Sequence, residues 1–203
     1  YKIYALGEFA TLSKLVYNNW RKEDFNWREI HQKGNTKVLF GLDFGYINDP
    51  TAFICCLVDE TNRNLYVFDE HYEKGLLNDE IARVIKNKGY QKEIITADSA
   101  EQKSIEEIRK SGIRRIKPAR KGKDSVLNGI QYLNQYNIVV HPSCVNTLQE
   151  LENYCWDKDK QTNEYINKPV DNYNHILDAL RYAVEELSRG WKLKSISKTS
   201  FGL

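Results

Sequence analysis

Methionine is missing altogether from the 203 residues, position 1 included. That absence alone sets the expectation of a piece of a longer polypeptide. No apolar run approaches the roughly 20 residues a membrane-spanning helix needs, and no signal peptide opens the chain. Neither a bilayer-spanning role nor export by that route is therefore expected. The four cysteines, Cys55, Cys56, Cys144 and Cys155, include no C-x-x-C pair. His141, Cys144 and Cys155 fit no common zinc spacing, and without a disulfide framework a reducing compartment is favoured. The phosphate-cradling pattern G-x-x-x-x-G-K-[ST] is missing too, so ATP hydrolysis is not expected of this chain. There is no internal repeat and no low-complexity stretch.

What the chain does have is enough to build a core. With 41% apolar and 29% charged residues it suits one globular domain and is too long and too aromatic to be disordered. The net charge of +2 is small but unevenly spread. "RRIKPARKGK", Arg114 to Lys123, holds six basic residues and no acid, and the tail "LSRGWKLKSISKTSFGL" is basic as well. Such runs suit a polyanionic partner, and they suit a solvated face or a flexible tail equally well.

Tyr1 to Gly34 is rich in aromatics and charge and reads as an irregular linker or edge segment. Packed structure is expected from about residue 35 to 190, followed by a basic tail over 191–203. Strands are predicted at Val38–Phe44, Thr51–Asp59 and Asn64–His71, with turn residues between them, which makes an antiparallel meander. Helices and short strands then alternate. A helix over Asn78–Lys88 precedes the strand "EIITAD", and a helix over Glu101–Lys110 precedes a strand at Ile113–Lys117. A helix over Ser125–Gln135 leads to "NIVV", and Ser143–Tyr154 reads as helical. "YCWDKDKQTNEYINKP" resembles a hairpin, in which Trp156 and Tyr165 either bear on a partner or pack. A long helix over Tyr173–Leu187 closes the series. The resulting fold class is α/β, a mixed sheet with helices on its faces.

One acid in this pattern needs explaining. Asp43 lies in the apolar strand "VLFGLDFG", where an unpaired carboxylate loses several kcal/mol of solvation or takes up a proton. A basic partner, a metal ion or a bound phosphate would hold it. Chemistry in such sheets collects at the carboxyl ends of adjacent strands where the order reverses. Asp98 ends the strand "EIITAD", so Asp43 and Asp98 converge if those two strands are neighbours. In "DNYNHILDALRYAVEEL", Ile176, Leu177, Leu180, Ala183, Val184 and Leu187 form an apolar stripe. His175 and Asp178 share another side of that helix, a spacing that a solvated pair would also have.

"LDFGYINDPTA", "ITADSA", "KGKDSVLNGI" and "NHILDALRYA", in this order, resemble the nuclease domain of the large terminase subunit of tailed bacteriophages. The opening "GEFATLSKLVYNNW" is similar to the segment that joins that family's ATPase domain to its nuclease, so the likeness covers essentially the whole chain. The resemblance implies a ribonuclease H-like fold and a metal-dependent endonuclease that cuts concatemeric double-stranded DNA with little sequence preference. Asp43, Asp98 and Asp178 match the family's acids, which implies that Asp98 and Asp178 each complete one ion's shell. His175 matches the histidine of its closing H-x-x-D motif, where it would bind a metal, position a metal-bound water or shuttle a proton. Asp49 matches an accessory acid, which either binds metal through water or fixes the turn before Pro50. Two divalent cations are implied, magnesium with manganese accepted. One would activate a water while the other stabilises the departing 3′ oxygen, with Asp43 as the bridging ligand. Lys121 and Lys123 match a lysine-bearing region, and Arg120, Arg114 and Arg115 join them as DNA-binding candidates.

The implied partners are the ATPase domain upstream of residues 1–34, a small terminase subunit and the portal. The implied setting is the host bacterial cytoplasm, with transient docking on the procapsid portal. Other ribonuclease H-like nucleases of resolvase or transposase type remain as rivals, as does a DNA-docking module without catalysis. Actin-like ATPases share the D-x-G strand start but need a second domain for which this chain has no room.

Overall fold

The strand "TAFICCLVD", Thr51–Asp59, is buried along all but its last residue, and the architecture follows from the need to cover both of its faces. In the computed structural model, which describes residues 14–122 and 124–190, this strand is β3. The other strands are β1 (Trp20–Lys22), β2 (Thr36–Asp43), β4 (Asn64–Glu73), β5 (Ile95–Ala97), β6 (Ile116–Pro118), β7 (Asn137–Val140), β8 (Trp156–Lys158) and β9 (Tyr165–Pro169). The helices are α1 (Trp27–Gln32), α2 (Asn78–Asn87), α3 (Gln102–Lys110), α4 (Ser125–Leu133), α5 (Val145–Asn153) and α6 (His175–Ala183).

Seven strands make one sheet in the order β1-β7-β4-β3-β2-β5-β6, and β8 and β9 form a separate hairpin. β2, β3 and β4 are the expected antiparallel meander. β5 adds parallel to β2 and β6 parallel to β5, while β7 lies parallel to β4. Successive residues of a strand point to opposite faces, so β3 feeds two cores. Ile54, Cys56 and Val58 pack beneath α6 with Ile176, Leu177 and Leu180. Phe53, Cys55 and Leu57 pack with Ile81 and Ile85 of α2 and Ile105 and Ile108 of α3. Cys55 and Cys56 are therefore both fully buried, one on each side of the sheet.

Three sequence expectations change. Residues 15–34, expected to be irregular, contribute β1 and α1, and Leu15, Val16 and Tyr17 are buried. "WRK" has no strand period, and its pairing with β7 supplies the order instead. α1 is capped by Asn26, whose side chain accepts from the Arg28 N–H, and Trp27 stacks on Phe68 at 4.3 Å. The closing helix begins at His175 rather than Tyr173, because Tyr173 takes a left-handed backbone (φ 58°). It also loses regular geometry at Val184 and continues helically only over 185–190. Residues 1–13, which hold the first half of the "GEFATLSKLVYNNW" segment, lie outside the described residues, as do Lys123 and the tail 191–203. Among the described residues no helix is long and apolar enough to cross a membrane.

Gly41 sets how closely α6 rests on the sheet. A Cβ added there would lie 1.8 Å from the Ala179 carbonyl oxygen and 3.0 Å from the Ala183 nitrogen. Backbone meets backbone at this crossing, so no rotamer change relieves the clash. Gly41→Ala is expected to cost about 3 kcal/mol or more, the upper end of overpacking penalties. Urea unfolding of the variant measures this, and a midpoint equal to that of the wild type would contradict the crossing.

Candidate active site

Asp43 closes β2, and its strand neighbour carries Asp98 just beyond β5. The Asp98 N–H donates to the Leu42 carbonyl (3.0 Å), which fixes the two acids side by side at the carboxyl ends of parallel strands. The Asp98 carboxylate accepts from the Ala100 N–H (2.9 Å), which turns the chain toward α3. α6, seated on Gly41, brings His175 and Asp178 to the same place from above. His175 Nδ1 lies 3.4 Å from Asp43 Oδ2, and its Nε2 lies 3.5 Å from Asp49 Oδ1. Asp49 is mostly exposed in the loop after β2.

Each of the three acids rests against a basic group. Asp43 faces His175, Asp98 Oδ1 pairs with the Lys121 ammonium (Nζ at 2.5 Å), and Asp178 Oδ1 accepts from Arg181 Nε at 3.1 Å with Nη2 of the same guanidinium at 2.5 Å. With the side chains so placed, no group of three or more His, Cys, Asp or Glu among the described residues stands ready to hold a metal ion. Electrostatics nevertheless couples the acids. Burial pushes the Asp43 carboxyl up to about 6, His175 opposes the push, and Asp178 and Asp98 add to it. Burial likewise raises Asp178, against the pull of Arg181. The hydrogen bond to Asp43 raises His175 above its ordinary value.

The basic candidates divide. Arg120 and Lys121 follow the carboxyl end of β6, next to the acids. Along with Asp178, Arg181, Tyr182 and Arg189 they line a cavity of about 340 Å³. Arg114 and Arg115 precede β6 at the opposite end of the sheet, where Arg115 donates to the Lys92 carbonyl (3.0 Å). They are not brought to the acids. In the hairpin, Trp156 packs against the core and Tyr165 is exposed beneath Lys158.

Two residues of this site went unnoticed in the sequence. Arg181 had a visible signal, its i, i+3 spacing from Asp178 in "HILDALRYA". Glu150, 2% exposed, had none, because a glutamate within "TLQELENY" reads as a solvated helix position. Its Oε2 accepts from the N–H groups of Ile176 (2.9 Å) and Leu177 (3.1 Å), and Tyr72 donates to its Oε1 (2.9 Å). Burial raises its carboxyl to about 7.

A strand order β4-β3-β2-β5-β6, with acids after β2 and β5 and on the closing helix, defines a ribonuclease H-like domain with a carboxylate site. A family model described as "Terminase RNAseH like domain" matches residues 43–186. The chain belongs to that family, the ribonuclease H-like nuclease domains of terminase large subunits. It is 36% identical over 188 residues to the terminase large subunit of Bacillus phage SPP1, covering 91% of this chain and 44% of that protein. It is 31% identical over 151 residues to the PBSX phage terminase large subunit of Bacillus subtilis, covering 72% of this chain and 34% of that one. The chain thus spans less than half the length of these relatives. Among solved structures, the g2p (large terminase) nuclease domain of bacteriophage SPP1 with bound Mn superposes with a TM-score of 0.77 at 33% identity. That match covers 85% of this chain and 98% of the other.

Proposed function

We propose that this chain is the endonuclease domain of a viral DNA-packaging terminase. On this reading it cuts concatemeric double-stranded DNA with little sequence preference, by metal-dependent hydrolysis of phosphodiesters. The observation that carries the proposal is the meeting of Asp43, Asp98, Asp178 and His175 from three separate elements at one end of the sheet.

The donor set fits the implied cations. Three carboxylates offer hard oxygen ligands, and Asp43 and Asp178 both carry the cost of burial that a divalent ion would relieve. Asp43, Asp98 and Asp178 would hold the ions, magnesium with manganese accepted, and Asp49 lies within reach through His175. When bound, such ions supply a nucleophilic water of lowered pKa and Lewis-acid stabilisation of the leaving oxygen. His175 holds a proton between Asp43 and Asp49, placed to pass it to or from a water at Asp43. Arg181 locks Asp178 in one orientation. Lys121 and Arg120 offer charge to phosphates beside the acids without reading bases, and Lys123 adds to the charge of the same run. Arg114 and Arg115, at the far end of the sheet, would meet DNA only away from the cut.

In the intact motor the domain would follow a translocating ATPase domain in the same chain. It would work with a small terminase subunit and the portal, in the host bacterial cytoplasm at the procapsid. A nuclease domain that takes in residues 15–34, through β1 and the buried Leu15, Val16 and Tyr17, and runs to about residue 190, followed by a basic tail over 191–203, belongs to the same proposal.

The test is plasmid cleavage by this chain with Mg²⁺, with Mn²⁺ and with EDTA, run beside direct titration of Mn²⁺. Nicking and linearisation are expected with either ion and none with EDTA. A folded chain that binds DNA, takes up no Mn²⁺ and never cuts would instead be a docking module.

A further inference from the structure

We propose that Glu150 is a positioning residue for the active site, an anion that fixes where α6 begins and so where His175 and Asp178 point. The inference rests on the nuclease reading above and adds a residue outside the ligand set to it.

The first N–H groups of a helix have no acceptor within the helix and take one from a cap, a side chain or water. Asn174, the residue at the α6 cap position, makes no side-chain cap bond. A carboxylate from a different helix replaces it, since Glu150 Oε2 receives the N–H groups of both Ile176 and Leu177. These two residues lie directly between His175 and Asp178. A negative charge is also well placed there against the partial positive charge of the helix start.

Glu150 is itself referenced to the centre of the sheet. Its other oxygen takes the Tyr72 hydroxyl from β4. The helix that carries it, α5, begins on a carboxylate from β4, because Glu70 accepts from the N–H groups of Asn146 (2.8 Å) and Thr147 (2.9 Å) and from both of their side chains. A run of acceptors thus links β4 to α5 and α5 to α6. Gly41 sets how deep α6 sits, and this relay sets its height and rotation about its own axis. A buried carboxylate is a costly way to cap a helix when a neutral serine or asparagine would serve. What it provides is a fixed anchor outside the helix, next to each functional side chain.

The experiment compares wild type, Glu150→Gln and Tyr72→Phe at a pH of about 8.5, above the raised carboxyl of Glu150, and each below its own unfolding temperature. It measures Mn²⁺ affinity by calorimetry without DNA, kcat and KM for plasmid cleavage, and amide exchange at Ile176 and Leu177. Glu150→Gln is expected to weaken Mn²⁺ binding by about tenfold or more, as loss of groups that orient ligands does. It should lower kcat and leave KM for DNA unchanged, because Arg120 and Lys121 are untouched. Tyr72→Phe keeps both backbone contacts and loses only the third donor to Glu150, so its Mn²⁺ affinity should fall less than that of Glu150→Gln. In the wild type the two amides should exchange slowly for a first turn.

A folded Glu150→Gln with wild-type Mn²⁺ affinity, beside a wild type that binds and cuts, overturns this inference alone. A wild type that neither binds Mn²⁺ nor cuts overturns the nuclease reading and this one with it. Where Glu150→Gln does not fold, fast exchange of both amides in the wild type overturns the inference and slow exchange supports it.

Discussion

Asp43→Asn is expected to abolish metal-dependent cleavage and, with metal chelated, to leave the protein more stable at pH 8 than the wild type. Asp43 is 8% exposed, and its carboxyl is raised from 3.8 to about 6, chiefly by burial. The folded protein therefore binds more protons than the unfolded chain between those two values. Stability falls as pH rises through that window, and above it the whole cost is present. A shift of this size corresponds to about 3 kcal/mol. Asparagine has the same shape and does not titrate, so it removes the cost. After the lost His175 contact is subtracted, a net gain of about 2 kcal/mol is expected at pH 8 and almost none near pH 4. Cleavage should meanwhile fall by about three orders of magnitude or more if Asp43 is the metal ligand proposed, since such a ligand contributes several kcal/mol to the transition state. Urea unfolding in EDTA at the two pH values, with plasmid cleavage in Mn²⁺, checks both halves. Equal stability of variant and wild type at pH 8 would mean that Asp43 is not strained by burial. Added Mn²⁺ should reverse the order by stabilising only the chain that can hold it.

The same tension between stability and function runs through the site. Asp43, Asp98 and Asp178 each sit against a basic group, with Asp43 buried and Asp98 and Asp178 mostly shielded from water. On the proposed nuclease reading, charges placed in this way suit a centre that receives cations and phosphate. The buried Glu150 follows the same logic, applied to the helix that carries half of the site.

How much of this was legible follows from which signals are local. Asp43 and Asp98 were visible because a single acid at the end of an apolar run is a strong local anomaly, and the strand pattern then made their convergence a matter of one pairing, β2 with β5. Asp178 and His175 were visible only through the motif, since their spacing equally suits a solvated helix face. β1 was not visible, because its three residues owe their order to β7, more than a hundred positions away. The start of α6 was missed because it depends on the backbone sign at Tyr173, which residue type does not announce. Glu150 was hidden for the most general reason. Its role comes from two helices meeting, and the sequence of either helix alone carries no trace of the other.

Arg181→Ala should be the most destabilising change at a polar residue of the site, costing about 3–5 kcal/mol in the absence of metal, the usual result of removing one partner from a buried ion pair. The Arg181 side chain is 7% exposed, and its guanidinium donates from Nε to one oxygen of Asp178 and holds Nη2 2.5 Å from the same oxygen. Its stem also fills the space between two helices. A Cβ on Gly129 would lie 3.1 Å from Arg181 Cδ, so α4 approaches closely enough to need a glycine opposite the arginine. Truncation therefore leaves both a void and an unpaired Asp178. The two losses separate in a cycle with Asp178→Asn. Removing the acid as well should recover the charge part of the cost and leave the packing part, so the double variant should be more stable than Arg181→Ala. Mn²⁺ should recover stability in Arg181→Ala but not in the double variant, because a divalent cation can replace the guanidinium only where the carboxylate remains. If Arg181→Ala unfolds at the same urea concentration as the wild type in EDTA, the pair is not buried as described. If the double variant is no more stable than the single, the arginine acts through packing alone, and Asp178 is already free to receive a cation.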